Sequence, residues 1–474
     1  MPALLVVALA PAPAVGQKLP EERIARIEQG LLPAVRVKGR SYAPSSLAER
    51  MRQHQVPAIS IAVVNDGRIE WAKAYGLADV ESGRTATTAT LFQAASISKP
   101  VAVTAALQLV QEGKLSLDED VNLKLRSWKV PANGFTAKKP VTLRRIVSHT
   151  AGLTVHGFPG YAASASLPTV VQVLNGEAPA NTRPVRVDVE PGTIWRYAGG
   201  GTTVMQLLLT EVTGQPFPQL MRERVLDRIG MTASTYEQPL PAARAVQAAT
   251  GYRTGSKPIA GHFHTYPEMA AAGLWTTPTD LAKWMIEVQR AFSGASEKMI
   301  SRRTAELMLT PVLGGGGLGP TLWASGDTLR FGHGGANEGF RAQVMGFAHR
   351  GQGAVIMTNS DTGGPLIQEV LTAIFQEYGW SGYGPREIVP IALDAEALRE
   401  YVGRYSSGEP PQTVTIELRD GALWCVASAI TLELVPTGKD EFFALGAGPV
   451  RFERGAEGKT GTLVLGGTRL SRTH

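Results

Sequence analysis

Residues 91–100, LFQAASISKP, hold a serine, Ser96, and a lysine three positions on, Lys99. Three residues is close to one helical turn, so a helix starting at Ser96 would put both side chains on one face. Its N-terminus would also surround the serine with free amides and the positive end of the helix dipole, where a developing oxyanion is stabilised. Serine is a weak nucleophile at neutral pH and needs a base beside it. A lysine can be that base when burial or nearby positive charge makes its ammonium easier to deprotonate. The pair could carry acyl transfer, although most strings of this form, taken alone, are a capping serine and a solvated lysine.

The flanking sequence supplies the elements that would hold such a pair. From Ser96, SISKPVAVTAALQLVQEGKL places Ala, Val and Leu at helical spacing, with Pro100 early and Gly113 near the end, which predicts a helix there. Upstream, VPAISIAVVNDGRIEWAKAYG alternates on both sides of Asn65-Asp66-Gly67, as two antiparallel strands joined by a tight turn would. Residues from about 118 to 252 carry helical runs such as GGTTVMQLLLTEVTG between Pro- and Gly-rich loops, and read as a mostly helical insertion. Strand patterns return in TLRFGHGGANEGFRAQVMGFAHRGQGAVIMTN, followed by an amphipathic helix, PLIQEVLTAIFQEYGW. The strands of one sheet therefore flank the insertion. Beyond the linker SGYGPREIVPIALD, short alternating runs such as QTVTIELRDGALWCV predict a small all-β domain, a barrel or curled sheet.

Composition narrows the function. A chain of 474 residues can bury a large core and form more than one domain. Its net charge of +6 is spread among interleaved acids, with no basic stripe spaced by aromatics, which speaks against a nucleic-acid partner. One cysteine, Cys425, excludes an internal disulfide; lying in an alternating strand, it reads as a packed thiol. The opening MPALLVVALAPAPAVGQ ends in a small-x-small pattern that suits a signal cleavage site, so residues 1–16 read as a leader without a basic start. Export to the periplasm or medium is the expectation, with the cytoplasm as the alternative. No later run reaches the ~20 apolar residues of a membrane span.

Four further stretches turn the serine–lysine pair into a pattern. SHTAGL at 148–153, PGTIWRYAGGG around Tyr197, AAGLWTTPTDLAKW at 271–284 and GHGGANEGF around His333 follow in order. Together with the SxxK string they resemble the serine β-lactamase and penicillin-binding-protein superfamily, in its class C β-lactamase, family VIII carboxylesterase and D-peptidase branch. The similarity spans roughly residues 56–378. The resemblance implies an α/β hydrolase domain over about 20–383, an antiparallel sheet flanked by helices with the helical insertion at 118–252. The all-β tail, about 393–474, resembles the lipocalin-like domain that some members carry.

The resemblance also assigns roles. Ser96 is the nucleophile, and Lys99 with Tyr197 moves the proton; two cationic neighbours would favour the Tyr197 phenolate. His333-Gly334-Gly335 takes the place of a KTG motif, with paired glycines that let substrate approach the strand and the Ala336 amide as second oxyanion donor beside that of Ser96. Tyr197 or His333 activates the deacylating water. Gly199 stands where relatives carry an Asn that offers its amide to substrate. With His333 mostly neutral at pH 7, the anion clamp of the lysine form is weakened unless Arg341 supplies the charge. His262 and His264, one residue apart, could face one side of a strand as metal ligands but read as rim residues, and His149 reads as structural.

The expected function is hydrolysis of carboxylic esters through an acyl-enzyme, without metal or other cofactor. A D-amino-acid or short-peptide hydrolase and a β-lactamase are the alternatives within enzymes. A non-catalytic ligand-binding sensor is the alternative of another class. The implied partner is a small-molecule ester or amide, and a homo-oligomer is allowed.

Overall fold

The computed structural model describes residues 20–408, 412–427, 430–455 and 458–473; the leader-like segment 1–16 lies outside them. In chain order the framework begins with α1 (Pro20–Gln29), β1 (Ala58–Asn65), β2 (Arg68–Asp79), β3 (Arg84–Thr85) and α2 (Ser98–Gln111). It continues through α3 (Gly199–Thr213), α4 (Pro278–Phe292), β4 (Thr321–Trp323), β5 (Arg330–Asn337), β6 (Phe340–Phe347), β7 (Gly353–Thr358) and α5 (Gly363–Glu377). The seven strands form one antiparallel sheet in the order β3-β2-β1-β7-β6-β5-β4. Strands from the two ends of the domain thus meet at β1 and β7.

The β1–β2 hairpin turns at Asp66 and Gly67, whose φ values of 51° and 69° are those of a primed turn that matches the strand twist. β1 is buried up to its last residue because helices cover both faces of the sheet. Ile59, Ile61 and Val63 pack with Val370 and Ile374 of α5 and Ile27 of α1. Ala62 and Val64 point the other way, into the core that contains Leu281, Met285 and Val288 of α4 and the apolar residues of α2 from Val101 to Leu109.

The helix expected from Ser96 starts two residues later. Ala95 takes a left-handed φ of 50° and a 3-10 turn, Ala95–Ile97, precedes α2, so Ser96 sits in the entry turn. α2 is buried from Ser98 to Leu109, which explains why its sequence is apolar all round rather than on one stripe. Between α2 and α4 only α3 is long; the shorter turns around it are joined by extended irregular stretches where Pro and Gly interrupt helical spacing.

The eight described strands from Gly403–Ser407 to Thr468–Thr473 form a closed antiparallel barrel. Tyr405, Ile416, Leu423, Cys425, Leu434, Phe442, Phe452 and Leu463 fill its interior, so side chains occupy the space that could otherwise hold a ligand. Cys425 is a packed thiol, pushed up in pKa by burial. The barrel meets the preceding sheet-and-helix part of the chain through a small patch. Val35–Val37 runs parallel to Arg386–Ile388, and Val37 and Ile388 pack against Val435 and Phe443 of the barrel. The Arg386 guanidinium lies 4.5 Å from the centre of the Phe443 ring, and Arg40 pairs with Glu433.

Because that patch carries none of the residues around Ser96, a chain ending after Ile391 keeps the Val35–Val37 pairing and should react with a fluorophosphonate at Ser96 as fast as the full chain. Mass spectrometry of the adduct reads this out. A truncated chain that melts cooperatively but takes no label would show that the barrel helps to build the site.

Candidate active site

The entry turn of α2 brings Ser96 and Lys99 together: Lys99 Nζ donates to Ser96 Oγ at 2.9 Å and to the Ala271 carbonyl at 2.8 Å. Lys99 is 3 % exposed, so these two oxygens are what the protein offers it in place of water. Ser98 helps to set the turn, donating to the Ala95 carbonyl and accepting from the Leu274 amide.

Tyr197 lies beside this pair. Lys99 Nζ is 5.0 Å from the ring centre, and the buried Tyr197 hydroxyl has no hydrogen-bond partner in the structure. Three imidazoles surround the ring, with centroids 4.3 Å (His149), 4.9 Å (His156) and 5.8 Å (His333) away. Burial holds His149 neutral well below the usual histidine range, helped by the charge of Lys99. Burial and the same charge bring His333 down to about 4. Of the cations expected beside Tyr197, neither buried histidine supplies one at neutral pH. His333 Nδ1 lies 2.6 Å from the Gly334 carbonyl, which can only accept, so Nδ1 carries the proton and Nε2 the lone pair. His149 is more than a structural turn residue: its ring forms one wall of the Tyr197 site, and its Nδ1 accepts from the Ala198 amide at 3.3 Å. His156, exposed at the mouth, was not flagged by any spacing. A loop with left-handed Val155 (φ 63°) delivers it.

β5 closes the other side. β4 pairs with β5 only at Arg330–Gly332, which leaves the edge from His333 to Asn337 free to meet the turn that carries Ser96. A Cβ on Gly335 would sit 2.3 Å from the Ala94 carbonyl, so this approach requires glycine; Gly334, by contrast, is exposed, and a Cβ there would make only ordinary contact with the Gln343 side chain at 3.4 Å. Ala336 follows on the same edge. Gly199 is buried at the first turn of α3, its amide donating to the His156 carbonyl at 3.0 Å. A side chain there would meet the Phe158 ring and the His156 carbonyl at about 3 Å, so loop 154–158 occupies the place of the missing Asn.

Arg341 does not replace the lost cation. Its guanidinium bonds the Asn337 and Phe340 carbonyls and pairs with Asp361 at 3.0 Å, and strand alternation turns it to the face opposite His333. His262 and His264 diverge as well. His262 has a left-handed φ of 75° and borders a groove of about 560 Å3, whereas His264 is buried against the Pro159 carbonyl. The larger apolar groove, about 880 Å3, runs along β2 and includes none of the residues around Ser96.

With the geometry in view, comparison places the chain. The beta-lactamase family model matches residues 45–378. Protein flp of Staphylococcus aureus strain N315 is 26 % identical over 247 residues, covering 50 % of this chain and 46 % of its own length. Esterase EstB of Burkholderia gladioli is 27 % identical over 189 residues, 39 % of this chain and 48 % of its own. The chain spans about half the length of these curated relatives. Among solved structures, the octameric penicillin-binding protein homologue from Pyrococcus abyssi superposes with a TM-score of 0.59 at 21 % identity, over 90 % of this chain and 98 % of the other. That likeness shows the fold.

One further titratable group lies next to the Lys99 acceptor. Glu268, fully buried three residues before Ala271, makes no well-formed hydrogen bond from either carboxylate oxygen, and burial raises it from the ordinary 4.5 to about 7 against the lowering pull of the nearby Tyr161 hydroxyl. A carboxyl raised on folding stabilises the protein below its unfolded pKa, and the stability is lost as pH rises towards the folded value. His333 acts in the opposite direction, losing stability as pH falls from the ordinary 6.5 to about 4. Glu268→Gln should therefore gain about 2–3 kcal/mol relative to the wild type between pH 5 and pH 8, measured by urea unfolding at each pH. A pH-independent difference would contradict the buried-acid assignment.

Proposed function

This chain belongs to the beta-lactamase family, and we propose that it is a serine hydrolase that forms an acyl-enzyme on Ser96 and prefers neutral carboxylic esters. The contact between Lys99 Nζ and Ser96 Oγ carries the reading, because a buried amine on a serine hydroxyl is the arrangement a nucleophile needs. Ser96 Oγ attacks the ester carbonyl as its proton passes to Lys99, which enters this step as the free amine. The amides of Ser96 and Ala336 hold the oxyanion, and the unpartnered Tyr197 hydroxyl hands a proton to the departing alkoxide. Water then attacks the acyl-enzyme, with Tyr197 or the lone pair on His333 Nε2 taking its proton.

The preference for neutral esters rests on three observations. His333 is neutral at pH 7, Gly199 offers no side-chain amide, and Arg341 is engaged with Asp361. An anionic β-lactam or a peptide carboxylate would enter without a matching cation on β5, whereas a short ester needs only the serine, the proton relay and the oxyanion donors. Relatives named as an esterase and as a penicillin-binding protein homologue are compatible with either side of that choice.

Comparing p-nitrophenyl butyrate, a D-amino-acid p-nitroanilide and a chromogenic cephalosporin tests the reading, with Ser96→Ala as the control. The expected order of kcat/KM is ester first, and His333→Lys should move the ratio towards the cephalosporin. A wild-type preference for the cephalosporin at pH 7 would overturn the ester assignment, and turnover that survives Ser96→Ala would overturn the nucleophile. Lys99→Ala and Tyr197→Phe should each cost about 10²–10⁴-fold in turnover, and the double variant much less than the product of the two. Fully multiplicative losses would mean that they act separately.

A further inference from the structure

The carbonyl that holds Lys99 belongs to a short turn, residues 267–272, that two buried carboxamides, one of them backed by a third, secure. Gln206, two turns into the helix that follows Tyr197, grips it from one side: its Nε2 donates to the Pro267 carbonyl at 3.0 Å and its Oε1 accepts from the Ala270 amide at 2.9 Å. Asn337, the residue after Ala336, grips it from the other, its Nδ2 donating to the Ala272 carbonyl at 3.1 Å and to Gln93 Oε1 at 2.8 Å. Gln93 in turn donates to the His264 carbonyl at 2.7 Å. Gln93, Gln206 and Asn337 are all buried. The Ala271 carbonyl, between the two gripped ends, is the one that accepts from Lys99.

We infer that Asn337 and Gln206 are positioning residues, which hold turn 267–272 between the Tyr197 helix and the β5 edge so that the Ala271 carbonyl keeps Lys99 on Ser96. The inference rests on the serine-hydrolase reading and adds the parts that keep its proton relay in register. The turn is buried, but its alanines offer neighbours only methyl groups, and a bidentate amide clamp adds the directional constraint that fixes a carbonyl. Because Asn337 adjoins Ala336, the same bond ties the oxyanion edge to the lysine acceptor. Gln206 does the same for the helix that begins two residues after Tyr197. Each of the three elements that meet around Ser96 is thus bonded to one turn.

The chemistry of the clamp dictates the variants. Asn337→Ala removes both donated bonds, and Asn337→Asp is nearly isosteric but turns an oxygen towards two oxygen acceptors, so it should be the more damaging. Gln206→Ala releases the other end without touching any residue proposed to meet substrate. With p-nitrophenyl acetate, Asn337→Ala and Gln206→Ala should each lower kcat by about 10–100-fold while KM stays within about twofold, the pattern of a misplaced catalytic group. Both should also shift the acid limb of the kcat/KM pH profile, which a loss of folded protein cannot do, since that lowers the amplitude alone. Thermal melts identify a variant that does not fold, and the decision then falls on the other one.

Fluorophosphonate labelling of the wild type separates the two levels. A wild-type chain that takes no label at Ser96 overturns the hydrolase reading. A labelled wild type whose folded Asn337→Ala or Gln206→Ala variant keeps kcat within twofold, or loses it with an unshifted pH profile, overturns the positioning role.

Discussion

The site is organised around one buried amine. Lys99 Nζ has exchanged water for two oxygens, the hydroxyl of Ser96 and the carbonyl of Ala271. A buried polar group without partners is costly, so both oxygens must be delivered accurately and held there. Ser96 comes from the entry turn of a helix buried on every side, where Ala95 takes a left-handed conformation to bend the chain into it. Ala271 comes from a turn some 170 residues later, to which buried Gln206 and Asn337 are hydrogen-bonded. The contact between Gly335 and the Ala94 carbonyl completes the frame from the sheet side.

Electrostatics around this amine is sparse. Two of the three imidazoles near Tyr197 are buried close to Lys99, and burial together with its charge keeps them neutral. Arg341, the obvious cation on the neighbouring strand, faces the other way and is bound to Asp361. Glu268 adds an uncompensated acid behind the Ala271 turn, raised by burial rather than ionised against a partner. The result is a pocket with one amine and little else charged, a setting in which the developing oxyanion meets amide dipoles rather than a competing ion pair.

The barrel contributes at a distance. Its interior is filled by its own aromatic and aliphatic side chains, and it joins the hydrolase half through Val37, Ile388, Val435 and Phe443. The Val35–Val37 strand comes from the N-terminal part of the chain and the Arg386–Ile388 strand from the linker, so the junction is bonded to both ends of the hydrolase half. A Pro- and Gly-bearing linker looked like a simple boundary; pairing with a strand three hundred and fifty positions earlier is invisible to any local pattern.

What the sequence determined by itself was local or motif-borne. The Asp66–Gly67 hairpin follows from turn chemistry, the barrel strands from alternation, and the approach of Lys99 to Ser96 from helical spacing. The family resemblance brought Tyr197 and His333 to attention, and the structure puts the Tyr197 ring beside Lys99 and the His333 ring beside Tyr197. Three-dimensional packing decided the rest, because the interactions concerned join residues far apart in the chain. His149 and His156 reach Tyr197 only through loops with left-handed residues, which no periodicity marks. The burial that neutralises His333 and raises Glu268 depends on everything packed around them. Whether Arg341 could serve the site turned on strand register, since a side chain on the wrong face of β6 cannot reach it. The clamp of Gln206 and Asn337 on one turn gathers residues from three separate segments, and two ordinary carboxamides carry no signal until the fold brings them to the same few backbone atoms.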